Sequence, residues 1–223
     1  MRVAVLISGG KDSALALHRV MQEGCEVKFL VTMMPLREDS WMFHYPNIHL
    51  TPLFAEAAAI PLEKRHTAGV KEEEVEDLKH VLAGLNIEGV VSGAVASEYQ
   101  KLRIQKICSE LDLTSIMPLW KEDPLKLLRE LVDTNFKAII TGVYAHGFDE
   151  TWLGREIDTE TINALLEIHR KHHVSIIGEG GEYETLVLDA PYFKKKIQLL
   201  ETEEKWENQR GTLHVKKARL AEK

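Results

Sequence analysis

The residues best suited to chemistry form a short polar turn near the start of the chain, Ser8-Gly9-Gly10-Lys11-Asp12-Ser13. The turn lies between an apolar run at 3–7 and a helical pattern that begins at Ala14. Glycines adopt backbone angles closed to other residues, so successive N–H groups can point into one concavity and approach an anion. The helix that follows directs its positive end at the same point. The turn therefore predicts a phosphate site.

The side chains of the turn support this interpretation. Ser8 and Ser13 offer hydroxyl donors, and Lys11 offers a mobile positive charge. Asp12 is unexpected, because a carboxylate repels a polyphosphate unless it caps the helix or faces a divalent cation; both roles stay open. The alternative is a glycine-rich turn without a ligand. The pattern matches neither GxxxxGK[ST] nor GxGxxG, which excludes the two commonest nucleotide motifs.

A second segment, SGAVASEYQKLR at 92–103, follows another apolar run at 87–94. If that run is a strand, Gly93, Ser97 and Arg103 lie at the carboxyl edge of the sheet, where open α/β folds bind ligands. Arg103 would then pair with a phosphate or a carboxylate. The alternative is the start of a helix that carries a solvated arginine.

A third segment, GEGGEYET at 178–185, places Glu179, Glu182 and Glu184 within six residues. Like charges at this spacing repel one another, and the glycines reduce local rigidity. The arrangement is favourable only if a cation or hydrogen-bond donors collect there. A solvated acidic turn is the alternative.

The elements that position these segments alternate between strands and helices. Asp123 before Pro124 predicts a capped helix start, and Asp158 predicts another helix that ends near His169. A polar stretch between 197–200 and 212–215 predicts a terminal antiparallel hairpin. Further strands are predicted at 27–33, 87–94, 138–143 and 174–177, and a further helix at 70–85. The alternation predicts an α/β fold with domains 1–120 and 121–223.

Composition restricts the function classes. A chain of 223 residues with 44% hydrophobic content can bury a core without staples. The net charge of -7 argues against direct nucleic-acid binding. Cys25 and Cys108 form no CxxC pair, which disfavours zinc and disulfides and favours a reducing cytoplasm. No apolar run reaches the roughly 18 residues of a membrane span.

Histidine is frequent in the sequence, with ten residues. His169, His172 and His173 are predicted to be solvated groups at a helix end rather than a metal site. The stretch 44–49, with histidines at both ends, either borders an adenine pocket or packs as a loop.

The first turn resembles the PP-loop, SGGxDS, of the N-type ATP pyrophosphatases. That resemblance implies a Rossmann-like (adenine nucleotide alpha hydrolase-like) parallel sheet, with a smaller carboxy-terminal α/β domain. Enzymes of that family open ATP between its α- and β-phosphates: they adenylate a substrate oxygen, release pyrophosphate, and let a nucleophile displace AMP.

Three segments outside the first turn identify a more specific family within this group. SGAVASEYQKLR at 92–103, MPLW at 117–120 and GEGGEYETLVLDAPYF at 178–193 are similar to the diphthine–ammonia ligase (diphthamide synthetase) family of archaea and eukaryotes. The eukaryotic members carry extra carboxy-terminal domains, so this sequence is expected to be the compact archaeal form. The resemblance implies cytoplasmic amidation of diphthine on translation elongation factor two, with ATP, Mg2+ and ammonium. No membrane or direct nucleic-acid partner is expected.

The resemblance also implies roles for the three segments. Arg103 would act in catalysis with Lys11 and Asp12, and Asp12 would orient the magnesium. The β- and γ-phosphates would bind at the remaining turn residues, Ser8, Gly9, Gly10 and Ser13, while Gly93 and Ser97 would contact the nucleotide. The modified histidine would be received by Glu179, Glu182, Tyr183, Glu184 and Thr185, whose carboxylates would attract its trimethylammonium group or ammonium.

Two competing functions stay open at this point. One is a tRNA-modifying PP-loop ligase or thiolase, which the isolated cysteines disfavour. The other is a nucleotide-binding module without turnover, which would not need the acidic segment. No glutaminase signature is present, so free ammonium is the expected nitrogen source. The sequence leaves the oligomeric state open, a homo-oligomer included.

Overall fold

The computed structural model describes residues 1–35, 47–68 and 73–223. They divide into two compact units, Met1–Trp120 and Lys121–Lys223. Among the described residues, no helix is long and apolar enough to cross a bilayer.

The first unit is built on a five-stranded parallel sheet. Its strands are β1 (Arg2–Leu6), β2 (Glu26–Pro35), β3 (Leu62–Thr67), β4 (Gly89–Val91) and β5 (Thr114–Ile116). Their order is β3-β2-β1-β4-β5, so β1 pairs with both β2 and β4. Because the strand order reverses at β1, the crevice beyond the carboxyl ends of β1 and β4 is the point where open α/β sheets bind ligands.

The described residues of this unit form the α-helices α1 (Lys11–Gln22), α2 (Thr51–Ala58), α3 (Glu73–Ala83) and α4 (Glu98–Glu110). The buried side chains of α3, Val75, Leu78 and Leu82, confirm the helical period within 70–85. They share one apolar cluster with Ile104 and Ile107 of α4. Residues 70–72 of that prediction lie outside the described residues.

The second unit contains an antiparallel sheet of order β7-β6-β9-β8. Its strands are β6 (Lys137–Val143), β7 (Tyr183–Asp189), β8 (Lys196–Glu207) and β9 (Arg210–Ala221), with helices α5 (Pro124–Asp133) and α6 (Thr159–His172). Both predicted caps are confirmed. Asp123 accepts from the backbone N–H of Leu125 at 2.8 Å, and Asp158 accepts from that of Thr161 at 2.8 Å.

The predicted terminal hairpin is confirmed and is longer than expected, with twelve residues in each of β8 and β9. Asn208 and Gln209 connect the strands with positive φ angles of 51° and 62°, as a two-residue hairpin turn requires. Most of β8 is exposed and charged, so the apolar alternation that marks a strand in sequence is missing from its outer half.

The strand predicted at 174–177 is wrong. These residues form turns between α6 and β7, with Val174 and Ile177 buried as anchors. His173 ends α6 in the left-handed conformation, and Gly178, at φ 75°, redirects the chain before β7 begins. A short apolar run does not by itself distinguish a buried strand from an anchored loop.

Candidate active site

The predicted phosphate turn connects β1 to α1 at the central strand of the first unit. Gly9 has a φ of 88°, in the region that favours glycine. Gly10 is the extended N-cap of α1 and, as a glycine, has no side chain with which to cap the helix. The N-terminus of α1 therefore directs its positive end at the turn.

The two serines of the turn give it its shape. The Ser13 hydroxyl donates to the Gly10 carbonyl at 3.0 Å, and the Ser8 hydroxyl accepts from the Gly10 N–H at 3.3 Å. The two hydroxyl oxygens lie 3.2 Å apart. These contacts fix the backbone of the turn, which adds a structural role to the expected role as phosphate donors.

Lys11 and Asp12 form an ion pair inside the turn, with 2.9 Å between Nζ and Oδ2. The Lys11 side chain is 3% exposed, and the Asp12 side chain is 29% exposed. A buried ammonium group is costly unless it is paired, so Asp12 compensates Lys11. The sequence did not predict this pairing.

Asp12 also fits the magnesium role expected of it. Mg2+ is commonly held by one or two carboxylates together with substrate phosphates. The described part of the chain contains no group of three or more His, Cys, Asp or Glu side chains arranged to hold a metal. Binding of Mg2+ by Asp12 together with substrate phosphates stays a prediction.

Gly93 brings the second predicted segment against the phosphate turn. A Cβ atom built on Gly93 would lie 2.6 Å from the Ser13 backbone nitrogen and 2.7 Å from the Asp12 carbonyl carbon. These distances are too short for any side chain. The loop after β4 therefore packs directly on the backbone of the turn, and glycine is needed for this approach.

Thr32 is a supporting residue that the sequence did not indicate. Its hydroxyl, buried in β2, donates to the carbonyl of Ile7 at 2.7 Å, immediately before the turn. A threonine in a strand is ordinary, so only the tertiary contact reveals this role.

The segment begins α4, with Ser97 as the N-cap and Arg103 inside the helix; Arg103 is half-buried, unlike the solvated arginine of the alternative. The Ser97 hydroxyl is the N-cap and accepts from the Gln100 N–H at 3.3 Å. The Arg103 guanidinium carbon lies 3.6 Å from the centroid of the Tyr99 ring. Tyr99 thus orients Arg103 by stacking. Contacts of Ser97 and Arg103 with a nucleotide stay predictions.

In the second unit, the third segment (178–185) divides between a compact turn and the start of β7. We define the acidic loop as residues 175–182, which end directly before β7. The Glu182 carboxylate accepts from the Gly180 N–H at 2.8 Å and from the Ser175 N–H at 3.3 Å. Gly178 and Gly181 have φ angles of 75° and 78°. The Glu182 carboxylate therefore holds the loop together by accepting from two backbone N–H groups of the loop, which offsets the repulsion among the carboxylates.

Tyr183 begins β7 directly after the acidic loop. Its ring is 2% exposed, and its hydroxyl donates to the Ile176 carbonyl at 2.7 Å. The Tyr183 ring also lies 6.0 Å from that of Phe148. Thr185 is likewise buried, whereas all three glutamates, Glu179, Glu182 and Glu184, are half-buried. In this conformation Tyr183 anchors the loop from inside the unit, and the half-buried glutamates are the more accessible members of the predicted set.

Cys108 does not resemble a sulfur-transfer nucleophile. Cys108 is 1% exposed in the α3–α4 cluster, and burial raises the pKa of its thiol to about 11. The thiolate is the reactive form, so Cys108 is inert near neutral pH. Cys25, half-buried, lies between α1 and β2.

The histidine predictions have separate outcomes. His169 and His172 lie in the last turn of α6 and His173 is its C-cap, as predicted. Residues 44–46 of the predicted adenine-pocket border lie outside the described residues, and His49 is an exposed residue of a short 3-10 turn, Ile48–Leu50.

Comparison with known proteins agrees with this geometry. A family model described as the diphthamide synthase N-terminal domain matches residues 1–115, and one described as the diphthamide synthase C-terminal domain matches residues 123–221. A protein named diphthine–ammonia ligase from Rattus norvegicus is 40% identical over 220 residues, which cover 88% of this chain and 82% of the relative.

Two more relatives carry the same name. The one from Homo sapiens is 37% identical over 220 residues, with 88% of this chain and 82% of the relative covered. The one from Schizosaccharomyces pombe is 37% identical over 223 residues, covering 91% of this chain and 37% of the relative. The chain belongs to the diphthamide synthase family.

Proposed function

We propose that this chain is a diphthine–ammonia ligase that acts on translation elongation factor two in the cytoplasm. ATP activates the diphthine carboxylate as an acyl-adenylate with release of pyrophosphate, and ammonia then displaces AMP. The names of the relatives support the reaction. The observation that carries the proposal is the glycine turn that leads from β1 into the N-terminus of α1, which suits a triphosphate.

The chemistry explains why ATP is needed. A carboxylate does not react with amines at neutral pH because its oxygen is a poor leaving group. Attack of that oxygen on the α-phosphorus expels pyrophosphate and converts the oxygen into part of AMP, which leaves readily. The substrate carboxylate is itself the nucleophile in this step, so a serine or cysteine nucleophile is not required.

We assign ATP binding to the first unit, residues 1–120. The turn amides, Ser8, Ser13 and Lys11 would bind the β- and γ-phosphates. Asp12 would hold Mg2+, which supplies charge neutralisation when bound. Stacking on Tyr99 restricts the Arg103 side chain, and the charge of Arg103 would stabilise the negative charge that develops during adenylation.

We assign diphthine binding to the second unit, residues 121–223. Diphthine carries a fixed trimethylammonium, which carboxylates attract without any proton transfer. Glu182 shapes the acidic loop through two backbone N–H groups. We propose that Glu179 and Glu184, both half-buried, face trimethylammonium or ammonium, while Tyr183 and Thr185 support the loop from β7.

The competing functions fit less well. Sulfur transfer to tRNA needs a reactive cysteine, and burial raises the pKa of Cys108 to about 11. A binding module without turnover has no use for the glycine-rich acidic loop. The shape of this loop depends on the positive φ angles of Gly178 and Gly181 and on the hydrogen bond that Glu182 accepts from the Gly180 N–H.

The proposal is tested with purified protein, ATP, Mg2+, ammonium and diphthine-bearing elongation factor. We expect AMP and pyrophosphate in equal amounts, and a factor in which mass spectrometry shows one hydroxyl replaced by one amino group. Release of ADP and phosphate, or an unmodified factor, would exclude the ligase. Boiled protein and factor without diphthine serve as controls.

A further inference from the structure

A short loop of the second unit is fixed at both of its ends near the acidic loop. We define the histidine loop as residues 144–148, which follow β6. At its start the Tyr144 N–H donates to the Glu182 carbonyl at 2.9 Å. At its end the Phe148 ring lies 6.0 Å from the Tyr183 ring. The residues between these two contacts are therefore held beside the acidic loop.

His146 is the exposed residue in the middle of the histidine loop. Its ring meets the ring of His172, in the last turn of α6, edge to face, with centroids 4.8 Å apart and planes at 89°. Gly147 has a φ of 100°, and a Cβ atom there would lie 2.5 Å from His172 Cδ2. Both the backbone angle and the space exclude other residues, so the pairing of the two imidazoles depends on Gly147.

The step in which ammonium attacks the acyl-adenylate requires a proton acceptor. Ammonium, the abundant form at neutral pH, has no lone pair and must lose a proton before its nitrogen can attack a carbonyl carbon. Carboxylates attract ammonium, but their ordinary pKa, about 4, makes them weak acceptors. Imidazole is the side chain best matched to proton transfer near neutral pH.

We infer that His146 is the base that deprotonates ammonium at the acidic loop, and that His172 is a positioning residue for it. This inference rests on the proposed function. Of the other titratable groups on the adjoining elements, His169 contacts the Val174 carbonyl, Glu182 holds the acidic loop, and Asp149 accepts from the Thr151 N–H. The same elements also carry Glu150, Arg170, Lys171, His173, Glu179 and Glu184.

The step is balanced as follows. Neutral His146 takes one proton from ammonium and becomes imidazolium. The nitrogen lone pair of ammonia forms the C–N bond at the acyl carbonyl, the C–O bond to AMP breaks, and AMP leaves with that electron pair. The nitrogen loses its second surplus proton to solvent, and imidazolium later returns its own proton to solvent.

The test compares wild type with His146→Gln in the full chain, with ATP, Mg2+ and diphthine-bearing factor. We expect amidation by ammonium at neutral pH to fall about 100-fold or more, which is the usual loss of a general base. The remaining rate should rise about tenfold per pH unit, because it follows free ammonia. ATP–pyrophosphate exchange should be unchanged, since adenylation precedes the proton transfer.

Hydroxylamine separates a chemical role from a structural one. It is largely uncharged at neutral pH and needs no deprotonation before attack, so hydroxamate formation by His146→Gln should stay within about twofold of wild type. His172→Gln should lose less of the amidation by ammonium, and its hydroxamate formation should likewise stay close to wild type. His80→Gln, an exposed histidine of α3, is the matched control and should change neither rate.

Three results would overturn the inference. Equal losses with ammonium and hydroxylamine would show that His146 supports the loop rather than accepting a proton. Unchanged amidation by His146→Gln would remove the residue from the reaction. Absence of pyrophosphate exchange in the wild type would overturn the proposed function, and the inference with it.

Discussion

Gly93→Ala tests whether the loop after β4 shapes the phosphate turn. The new Cβ would lie 2.6 Å from the Ser13 nitrogen, 2.7 Å from the Asp12 carbonyl carbon and 2.8 Å from the Asp12 carbonyl oxygen. All three are backbone atoms, so no flexible side chain can yield. Ordinary contact requires the two segments to separate by about 0.8 Å, a strain that typically costs 1–3 kcal/mol of unfolding free energy.

The effect on activity should exceed the effect on stability. A misplacement near 1 Å in a catalytic site costs about 100-fold, so we expect kcat/KM for ATP to fall about 30- to 100-fold. The melting temperature should fall by about 2–10 °C, as expected for a chain of this size. Pyrophosphate release and calorimetry measure the two effects on the same preparation.

Gly84→Ala is the matched control for this experiment. Gly84 is exposed after α3, and a Cβ there would meet only the Val81 carbonyl oxygen, at an ordinary 3.6 Å. It should change neither ATP use nor stability by a measurable amount. Wild-type kinetics in Gly93→Ala would refute the packing explanation, and so would an equal loss of activity in the control.

Three further outcomes follow from the site and the fold. Lys11→Ala should reduce pyrophosphate release at least about 100-fold, because a buried cation at the phosphates is lost. Lys79→Ala on α3 is the control and should leave this rate unchanged. Equal rates of pyrophosphate release in the two variants would exclude Lys11 from the site. Glu182→Ala should raise KM for the factor and leave KM for ATP unchanged, since two backbone donors of the acidic loop lose their acceptor; a raised KM for ATP would contradict the assigned roles. The Thr161 N–H lowers the pKa of Asp158, so its cap stabilises the fold above the ordinary carboxyl pKa and is lost as pH falls through the lowered value. Asp158→Ala should therefore cost about 1 kcal/mol at neutral pH, and its melting temperature should converge on that of wild type as the pH falls through the lowered pKa of Asp158.

The parts of the fold that were predictable from sequence are those with local signals. β1 is an unbroken apolar run because both of its faces are covered, and the turn at 8–13 carries its glycines in sequence. The caps at Asp123 and Asp158 depend on neighbours two or three residues away. β3 escaped prediction because it lies at the sheet edge with four exposed residues, and so lacks the apolar pattern.

The missing parts of the site depend on contacts that no pattern of residue types displays. The need for glycine at position 93 comes from the backbone of residues 12 and 13, about eighty positions earlier. The sequence leaves open whether the acidic segment collects a cation or hydrogen-bond donors; Glu182 accepts from backbone amides, which every sequence contains. The pairing of His146 with His172 likewise joins a loop to the end of a helix.

The exposed β8 strand has a consequence for the protein in concentrated solution. As the last strand of its sheet, β8 offers unpaired backbone groups to other molecules, and such edges recruit further strands. Glu201, Glu203, Glu204 and Glu207 lie exposed along it, and Lys216 lowers the pKa of Glu203. Mutual repulsion of these carboxylates would keep two such edges apart near neutral pH, whereas acidification would remove this barrier and favour self-association into fibres.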